Sequence, residues 1–482
     1  MVKVAFAKAV INDLWPAQQG WGYHDDIEAR CMYFSSSDQS LIFIALDIGI
    51  LSRRRDSVLR EEIARRLNVS TEEILVHCIQ AHNAVPYTQV YLDQVAERVA
   101  EAMRPAIAKA REAEISFACA NVNSQFSVNR RKYVNDDLGV CTFWDGYRKE
   151  GTRADAAHLV TALRKSLLSS RPSNIYGVDP QNFPVSGGLT KVEGLEPIWY
   201  DRPVDPLVQF LVFRTLNGEN LGSLLRFSTH VQTAVVPLAQ DKLYTADFPH
   251  YTRKRLEEAL GGIAIFASGP AGNIVPLQEG WTWKETERYG NALADAALAE
   301  YSKTAKFEPL TRLKVRSHTV DLPVRMDMPT SVEEARRRAD LIREELNNAA
   351  AIGAPLRQIK RMADLLNHYE WSPNKLVSWN YLDPEEAHRR KVTIRLTGVA
   401  LNDILILGMP GEAVCETSLW LRANSVGIKL LTLYDCNGDI GYMPEAQDYP
   451  HGGYEAACSI IAPDGETYLR EGALTLIQEI CQ

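Results

Sequence analysis

The sequence lacks the features that would place it in a membrane or on nucleic acid. Its apolar stretches, such as Leu41–Leu46, fall far below the roughly 20 residues that a membrane-spanning helix needs. Its first residues show no charged segment followed by a long apolar run, so we expect no secretory signal and a cytoplasmic location. Lysine and arginine number 53 and aspartate and glutamate 61, a net charge of −8 with no basic block. This balance disfavours nucleic acid and membrane surfaces as partners and favours a small-molecule substrate.

The short motifs of several common enzyme classes are also missing. The sequence has no GxSxG, HExxH, P-loop or GxGxxG pattern, which argues against the α/β-hydrolase elbow, the zincin helix and the usual nucleotide sites. Its eight cysteines are scattered and none forms a CxxC pair. This spacing disfavours a thiolate zinc cluster, and we expect free, buried thiols.

Short apolar runs rich in β-forming residues alternate with amphipathic helical patterns along the chain. This alternation predicts an α/β fold, with a mixed α+β arrangement also open, in which helices surround a mixed sheet. We expect one large catalytic domain over residues 1–482, in which residues 325–391 form a helical insertion or lid. A homo-oligomer is compatible with the sequence. The predicted strands include Leu41–Asp47, Glu73–Cys78, Ile115–Val122, Leu207–Phe213, Leu221–Phe227, Ile263–Ala267, Leu313–Val324, Val392–Val399, Asp403–Leu407 and Lys429–Leu433. The predicted helices include Ser57–Leu67, Val90–Arg111, Trp283–Tyr301 and Ser331–Asn348.

Polar side chains stand shortly after several of these apolar runs. His82, His230 and Glu412 each follow such a run, and α/β enzymes present functional groups at strand ends. Two imidazoles and a carboxylate form a donor set that zinc accepts. Taken singly, each residue is explained equally well by a structural role, as a hydrogen-bonded histidine or as a glutamate at a helix N-terminus.

A series of segments between residue 5 and about residue 460 carries a more specific pattern. The segments are Ala5–Val10, Gln80–Pro86, Ser127–Arg131, Phe227–His230, Asp247–Pro249, Phe266–Pro276, Pro410–Glu412, Gly441–Tyr442 and Gly453–Glu455. In this order they resemble the catalytic N-terminal domain of the neutral/alkaline (non-lysosomal) ceramidases. The sequence from Gly441 onward is similar to that of the shorter bacterial relatives, which lack the C-terminal β domain.

The resemblance implies a zinc amidase that binds one zinc ion per chain. Its ligand set of two histidines, a glutamate and a tyrosine corresponds to His82, His230, Glu412 and Tyr442. It places Arg130 and Tyr454 at the scissile carbonyl. For the general base, Asp247 and Glu412 are the two candidate carboxylates. The substrate-binding residues that the matching motifs imply are Asn83, Asn129, Gly272 and Asn273.

Two departures from the family pattern bear on the mechanism. The family has two histidines, one residue apart, where this chain has His82 alone within Gln80-Ala-His82. His82 corresponds to either of the two, and in the second case one ligand is lost. Val275 stands where the family has a serine proposed to take part in catalysis. Since valine has no hydroxyl, a zinc-activated water remains as the nucleophile.

The sequence thus predicts a zinc-dependent hydrolase that cleaves an amide bond of a soluble small molecule by a metal-activated water. The soluble substrate is expected because no exposed apolar or membrane-facing segment is evident. Two alternatives stay open. A metal-dependent lyase or isomerase could use aromatic side chains to stack a sugar-like substrate, and the candidates are Trp281, Trp283, Trp371 and Trp379. A degenerate family member would bind a ligand without catalysis.

Overall fold

A computed structural model describes residues 1–16, 18–83, 85, 90–123, 125–135, 139–142, 202–378 and 380–481. Pro86 of the histidine segment and Trp379 lie outside the described residues. Within the described ranges the chain forms a mixed α/β structure of two sheets and surrounding helices, which confirms the predicted fold class.

The larger of the two sheets, here the large sheet, contains nine of the described strands and mixes parallel with antiparallel pairs. Eight of them are hydrogen-bonded in the order Ile263–Ser268, Asn220–Phe227, Leu207–Thr215, Arg111–Asn121, Lys3–Val10, Glu28–Ser35, Ser40–Leu46 and Ile74–Cys78. The ninth, Glu308–Pro309, pairs with Arg111–Asn121. Both end strands pair in parallel with their neighbours, so the two carboxyl ends within each of these pairs lie at the same edge of the sheet.

A second sheet, the small sheet, contains four described strands and also ends in a parallel pair. Its strands, in hydrogen-bonded order, are Leu313–Pro323, Lys391–Leu401, Ile404–Gly408 and Lys429–Leu433. Four two-stranded pairs complete the described β-structure. They are Gly22–Tyr23 with Leu243–Tyr244, Ser127–Asn129 with Ile274–Pro276, Arg131–Asn135 with Gly139–Thr142, and Glu412–Ala413 with Tyr442–Met443.

The described helices lie on the outer faces of the sheets and in the connections. They are Arg53–Leu67, Leu92–Ala108, Val235–Asp241, Phe248–Leu260, Trp283–Thr304, Val332–Ala351, Leu356–Pro373, Pro384–Arg389, Cys415–Ala423, Tyr454–Cys458 and Gly465–Cys481. None of the helices in the described ranges is long and apolar enough to cross a membrane.

Alternation along the strands explains how the sheets stack. In Ser40–Leu46, Leu41 and Phe43 face the core shared with the small sheet, whereas Ile42 and Ile44 face helices Arg53–Leu67 and Leu92–Ala108. Successive side chains of a strand point to opposite faces, so both faces of this strand are buried. The small sheet repeats the arrangement and packs its other face on helix Gly465–Cys481.

The stretch between the antiparallel partners Leu313–Pro323 and Lys391–Leu401 is largely helical. We call residues 325–390 the helical insert. Its helices Val332–Ala351 and Leu356–Pro373 pack on each other, and a short π-helical turn, Asn374–Ser378, continues the second one. The insert places Trp371 and Tyr381 at the cavity described below.

Candidate active site

Short β-contacts bring the predicted ligands together from distant parts of the sequence. Strand Glu412–Ala413 pairs in parallel with Tyr442–Met443, so Glu412 lies directly beside Tyr442. The backbone N–H of His82 donates to the carbonyl of Val231 at 2.9 Å, which aligns the loop after one large-sheet strand with the loop after another. The rings of His82 and His230 consequently lie 5.4 Å apart, centroid to centroid. His82, His230, Glu412 and Tyr442 thus lie close together although they come from distant parts of the sequence.

Each of the two histidines is fixed through one ring nitrogen. Nδ1 of His230 lies 2.8 Å from the carbonyl oxygen of Ile274, and Nδ1 of His82 lies 3.0 Å from that of Gln80. Because a carbonyl oxygen only accepts, Nδ1–H must be the donor in both rings, and Nε2 keeps its lone pair. Nε2 of His230 lies 3.6 Å from Oε2 of Glu412. Backbone carbonyls often orient metal-binding histidines in this way.

The surroundings keep both imidazoles neutral. Burial lowers the pKa of the completely buried His230 to about 3, and the positive charge of Arg130 acts in the same direction. The pKa of His82 is also lowered, by desolvation and by the neighbouring His230. Solvent reaches the His82 ring, however, so we expect its shift to be the smaller of the two. Neutral imidazole is the form that binds a metal or accepts a proton.

Gln80 connects the members of this cluster. Its side-chain amide donates a hydrogen bond to Oε2 of Glu412, and its amide oxygen accepts one from the hydroxyl of Tyr434. Its backbone carbonyl is the acceptor for His82. The residue adopts a φ of 60°, in the left-handed region that non-glycine residues rarely occupy. Gln80 therefore orients both an imidazole and the carboxylate.

Arg130 forms the cationic centre beside the cluster. Its Nε donates to Glu455 at 2.7 Å, one terminal nitrogen donates to the carbonyl of Gly272 at 2.7 Å, and another lies 3.5 Å from Nε2 of His230. The guanidinium carbon lies 5.5 Å from the ring centroid of Tyr442 and 5.6 Å from that of Tyr454. These contacts hold the two tyrosine rings next to one another, with 5.4 Å between centroids.

The cluster opens into a cavity of about 280 Å³. Side chains that line the cavity include Gln80, His82, Trp371, Tyr381, Glu412, Tyr442, Tyr454 and Cys458. Burial raises the pKa of the Glu412 carboxyl, whereas a hydrogen bond from Tyr442 and the charge of Arg130 oppose that shift. Burial also raises the pKa values of Tyr442 and Tyr454, so both keep their hydroxyl protons.

The four predicted substrate-binding residues do not line the cavity. Their contacts are with the surrounding structure instead, and the residues are Asn83, Asn129, Gly272 and Asn273. Asn273 bridges Glu416 and the backbone N–H of Cys415, and Asn129 accepts from the backbone of Arg131. Asn83 donates to the carbonyl of Asp47 at 2.6 Å. A Cβ on Gly272 would lie 2.6 Å from the carbonyl oxygen of Glu412, so only glycine permits this close approach.

Asp247 lies at the start of helix Phe248–Leu260, apart from the lining residues. Its carboxylate accepts hydrogen bonds from the backbone N–H groups of Thr233, Ala234 and Phe248. These contacts fix the loop that follows His230. The structure thus gives Asp247 a positioning role and does not bring it to the cavity as a base.

Some residues of the site carried no signal in the sequence analysis. Gln80 stands two residues before His82 in the histidine segment, and this position was the only available indication. Tyr381 comes from the helical insert, and Glu455 is buried completely between Arg130 and Arg131. Among the predicted stacking aromatics, Trp283 instead stacks on His24 at 3.9 Å, while Trp371 does line the cavity.

The predicted metal ligands are of suitable chemical types, but they do not form a complete coordination shell in the part of the chain that the structure describes. Among the described residues, no group of three or more His, Cys, Asp and Glu side chains is placed to hold a metal ion. The four predicted ligands nevertheless offer two neutral imidazoles of fixed tautomer, a carboxylate and a phenol. Three of them line the cavity, and His230 lies behind them against His82 and Glu412. That set fits a nitrogen- and oxygen-binding metal such as zinc.

Comparison with known proteins reveals the fold's relatives. No protein-family model matches the sequence, and no curated protein matches it. The neutral ceramidase from Pseudomonas aeruginosa superimposes with a TM-score of 0.63 and 15% identity, over 99% of this chain and 75% of that one. A ceramidase complexed with C2 gives a TM-score of 0.62 and 14% identity, over 99% and 76% of the two chains. The resemblance seen in the ordered motifs is therefore confirmed for the fold, over nearly the whole chain.

Proposed function

We propose that this protein is a zinc-dependent hydrolase that cleaves an amide bond of a soluble small molecule. The observation that carries the proposal is that His82, Glu412 and Tyr442 line one cavity and that the buried His230 lies against His82 and Glu412, in the fold of the neutral ceramidases. Those relatives are ceramidases by name, and an amide is the bond that a ceramidase cleaves. Because the identity is only 15%, the overall likeness supports the fold alone. The proposal is therefore supported by the site residues.

The four ligands would hold the zinc through Nε2 of both imidazoles, the Glu412 carboxylate and the Tyr442 phenol. Bound there, zinc would supply Lewis-acid polarisation of the amide carbonyl and acidify a water molecule. The protein prepares the site by keeping both histidines neutral and by directing their Nε2 lone pairs away from the backbone. Gln80 holds the Glu412 carboxylate in place.

Tyr454 is the residue that we assign to the amide carbonyl. It lines the cavity, keeps its proton at neutral pH and lies against both Tyr442 and Arg130. A hydroxyl donor preorganised in this way stabilises negative charge that develops on the carbonyl oxygen. Arg130, locked by Glu455 and by the Gly272 carbonyl, adds a fixed positive field behind the tyrosine rings.

The experiment is a hydrolysis assay on a broad panel of N-acyl amides and cyclic amides with the zinc-loaded protein. Mass analysis of the products separates hydrolysis, which adds one water, from isomerisation or elimination within the substrate. We expect hydrolysis of at least one amide class, and loss of it in Glu412→Gln. A fully metallated protein that turns over no amide would contradict the proposal.

A further inference from the structure

Four of the described residues that line the cavity are tryptophan or tyrosine, and three of their rings are in consecutive contact. The ring centroid of Trp371 lies 6.1 Å from that of Tyr454, and the two ring planes meet at 86°. The centroid of Tyr454 lies 5.4 Å from that of Tyr442, at an angle of 69°. Trp371 and Tyr454 are half-buried, whereas Tyr442 is buried. The rings of Trp371 and Tyr454 therefore form a right-angled corner in the wall of the cavity.

The corner is held by contacts between the helical insert and the C-terminal part of the chain. Helix Leu356–Pro373 carries Trp371 and packs on the short helix Tyr454–Cys458. Nδ1 of the buried His368 lies 3.1 Å from the carbonyl oxygen of Ala457, which ties the two helices together. The angle between the two rings is thus fixed by packing of the protein before any substrate binds.

The fourth aromatic lining residue, Tyr381, is fixed through its backbone and its ring. Its N–H donates to the carbonyl of the completely buried Lys375 at 2.7 Å, and its carbonyl accepts from Arg53 at 3.0 Å. The ring lies close to Gly441, because a Cβ on that glycine would be 3.0 Å from Cε2 of Tyr381. Gly441 also has a φ of 79°, so both its conformation and this contact favour glycine.

The charges around the cavity favour an uncharged substrate group. The described residues that line the cavity include no lysine or arginine, and Glu412 is their only carboxylate. In the proposed enzyme Glu412 is a zinc ligand, so its charge is not offered to the substrate. Aromatic cages otherwise suit ammonium groups. Here the Arg130 guanidinium carbon already lies 5.5 Å from the Tyr442 ring and 5.6 Å from the Tyr454 ring, and its charge would repel a second cation.

The size and shape of the cavity favour a compact, planar group. Its volume of about 280 Å³ is at the lower end of small-molecule sites, which span roughly 300–1,000 Å³. An aromatic ring that enters the corner stacks on one of the two rings and meets the edge of the other. Both arrangements are favourable between aromatic rings, beyond the gain from burial of apolar area. A saturated ring or an alkyl chain gains the burial of area alone.

We propose that Trp371 and Tyr454 form a subsite for an aromatic ring of the substrate, so that the enzyme prefers compact, uncharged aryl amides. The inference rests on the proposed amide hydrolysis and deepens it, because it names the group that accompanies the amide. Tyr454 is also the residue assigned to the amide carbonyl, so the ring lies close to the amide. It belongs either to the acyl part, as in a phenylacetyl amide, or to the amine part, as in a benzylamide.

The test compares matched amides on the full-length, zinc-loaded protein. The two pairs are phenylacetamide with cyclohexylacetamide, and N-benzylacetamide with N-(cyclohexylmethyl)acetamide. Dodecanamide and N-acetylglucosamine represent long-chain and sugar-like substrates. We expect wild type to prefer the aryl member of at least one pair by roughly three- to tenfold in kcat/KM, mainly through KM. The preferred aryl amide should also be a better substrate than dodecanamide and N-acetylglucosamine.

Three variants locate the preference. Trp371→Leu removes the ring and should lose the aryl preference, whereas Trp371→Phe keeps a ring and should retain it. Trp420→Leu is the control, because Trp420 is also half-buried but lies on helix Cys415–Ala423, next to Arg470 and apart from the lining residues. Circular dichroism checks that each variant is folded.

Equal use of aryl and cyclohexyl amides by wild type would overturn the inference, and so would a preference for dodecanamide or N-acetylglucosamine. An aryl preference that survives in folded Trp371→Leu would overturn it as well. If no amide is hydrolysed, the proposed function fails, and titration calorimetry with phenylacetamide decides on the subsite separately. Binding to wild type that weakens at least threefold in Trp371→Leu but not in Trp420→Leu would support the subsite. Absence of binding, or equal binding to all three proteins, would overturn it.

Discussion

The side-chain amide of Gln80 donates to Oε2 of Glu412, the same carboxylate oxygen that lies 3.6 Å from Nε2 of His230. Tyr434 fixes the other end of that amide. A glutamine therefore sets the position of the acidic ligand and, through its backbone carbonyl, that of His82 as well. This contact explains how the cluster keeps its geometry although the family's paired histidines are reduced to one.

Gln80→Met tests this role. The substitution keeps the side-chain length but leaves the Tyr434 hydroxyl and a Glu412 oxygen without their partner in a buried site. We expect the free energy of unfolding, measured by urea denaturation, to fall by at least about 2 kcal/mol. Gln278→Met is the control, because Gln278 is buried and neither of its side-chain polar atoms is hydrogen-bonded to any residue that the structure describes. Equal losses in the two variants would contradict the assignment.

Tyr454→Phe should affect catalysis more than binding. It removes only the hydroxyl that we assign to the carbonyl oxygen and keeps the ring packed against Tyr442 and Trp371. Loss of one preorganised donor corresponds to roughly a hundredfold lower kcat with little change in KM. Steady-state kinetics with the exposed control Tyr468→Phe measure the effect. An unchanged kcat would remove Tyr454 from the mechanism.

Asp247→Asn and Glu412→Gln distinguish a positioning residue from a site residue. Asp247 serves three backbone donors, so its amide variant should lose about 1–2 kcal/mol of stability. We expect its kcat to stay within about tenfold of wild type, since general acid–base residues contribute far more. Glu412→Gln should abolish measurable turnover. Comparable losses of kcat in the two variants would return Asp247 to the catalytic machinery.

Lys375 predicts a specific pH dependence of stability. Its pKa falls from 10.5 to about 8 in the folded protein, so the unfolded chain binds the proton more tightly. Stability therefore rises as the pH increases between these two values. Relative to Lys375→Met, wild type should gain up to about 3 kcal/mol over this range. Urea denaturation of both proteins at several pH values measures this gain. If the free energies of unfolding of the two proteins change in parallel with pH, folding does not lower the pKa of Lys375.

Part of the fold could be predicted because several strands, such as Ile404–Gly408, are buried on both faces and read as continuous apolar runs. Lys429–Leu433 is found with the predicted bounds, and Leu313–Pro323 ends one residue before its prediction. The helix predicted over Ser331–Asn348 runs from Val332 to Ala351, with the Ser331 hydroxyl accepting from the backbone of Glu334. The Glu334 carboxylate accepts from the backbone N–H and the hydroxyl of Thr330, one residue before that cap.

The candidate site was predictable only where a residue type itself carries chemistry. Histidines and carboxylates after strands attract attention, whereas Gln80 does not, because a glutamine becomes a positioning residue only through its neighbours. Tyr381 and Lys375 depend on how the insert folds back over the cavity, which sequence spacing does not specify. Asn83 and Asn273 matched family motifs, yet their amides serve the backbone and Glu416. A matching motif predicts where a residue lies in the fold, but it does not specify what the side chain of that residue contacts.

The measurement that tests the account most directly is the metal content of wild type and of His230→Ala by inductively coupled plasma mass spectrometry. His318→Ala, in the distant strand Leu313–Pro323, is the control, and circular dichroism checks that all three proteins are folded. We expect about one zinc per chain in wild type and in the control, and none in folded His230→Ala. Wild type that holds no metal and takes up none on incubation, or a His230→Ala protein that keeps its zinc, would contradict it.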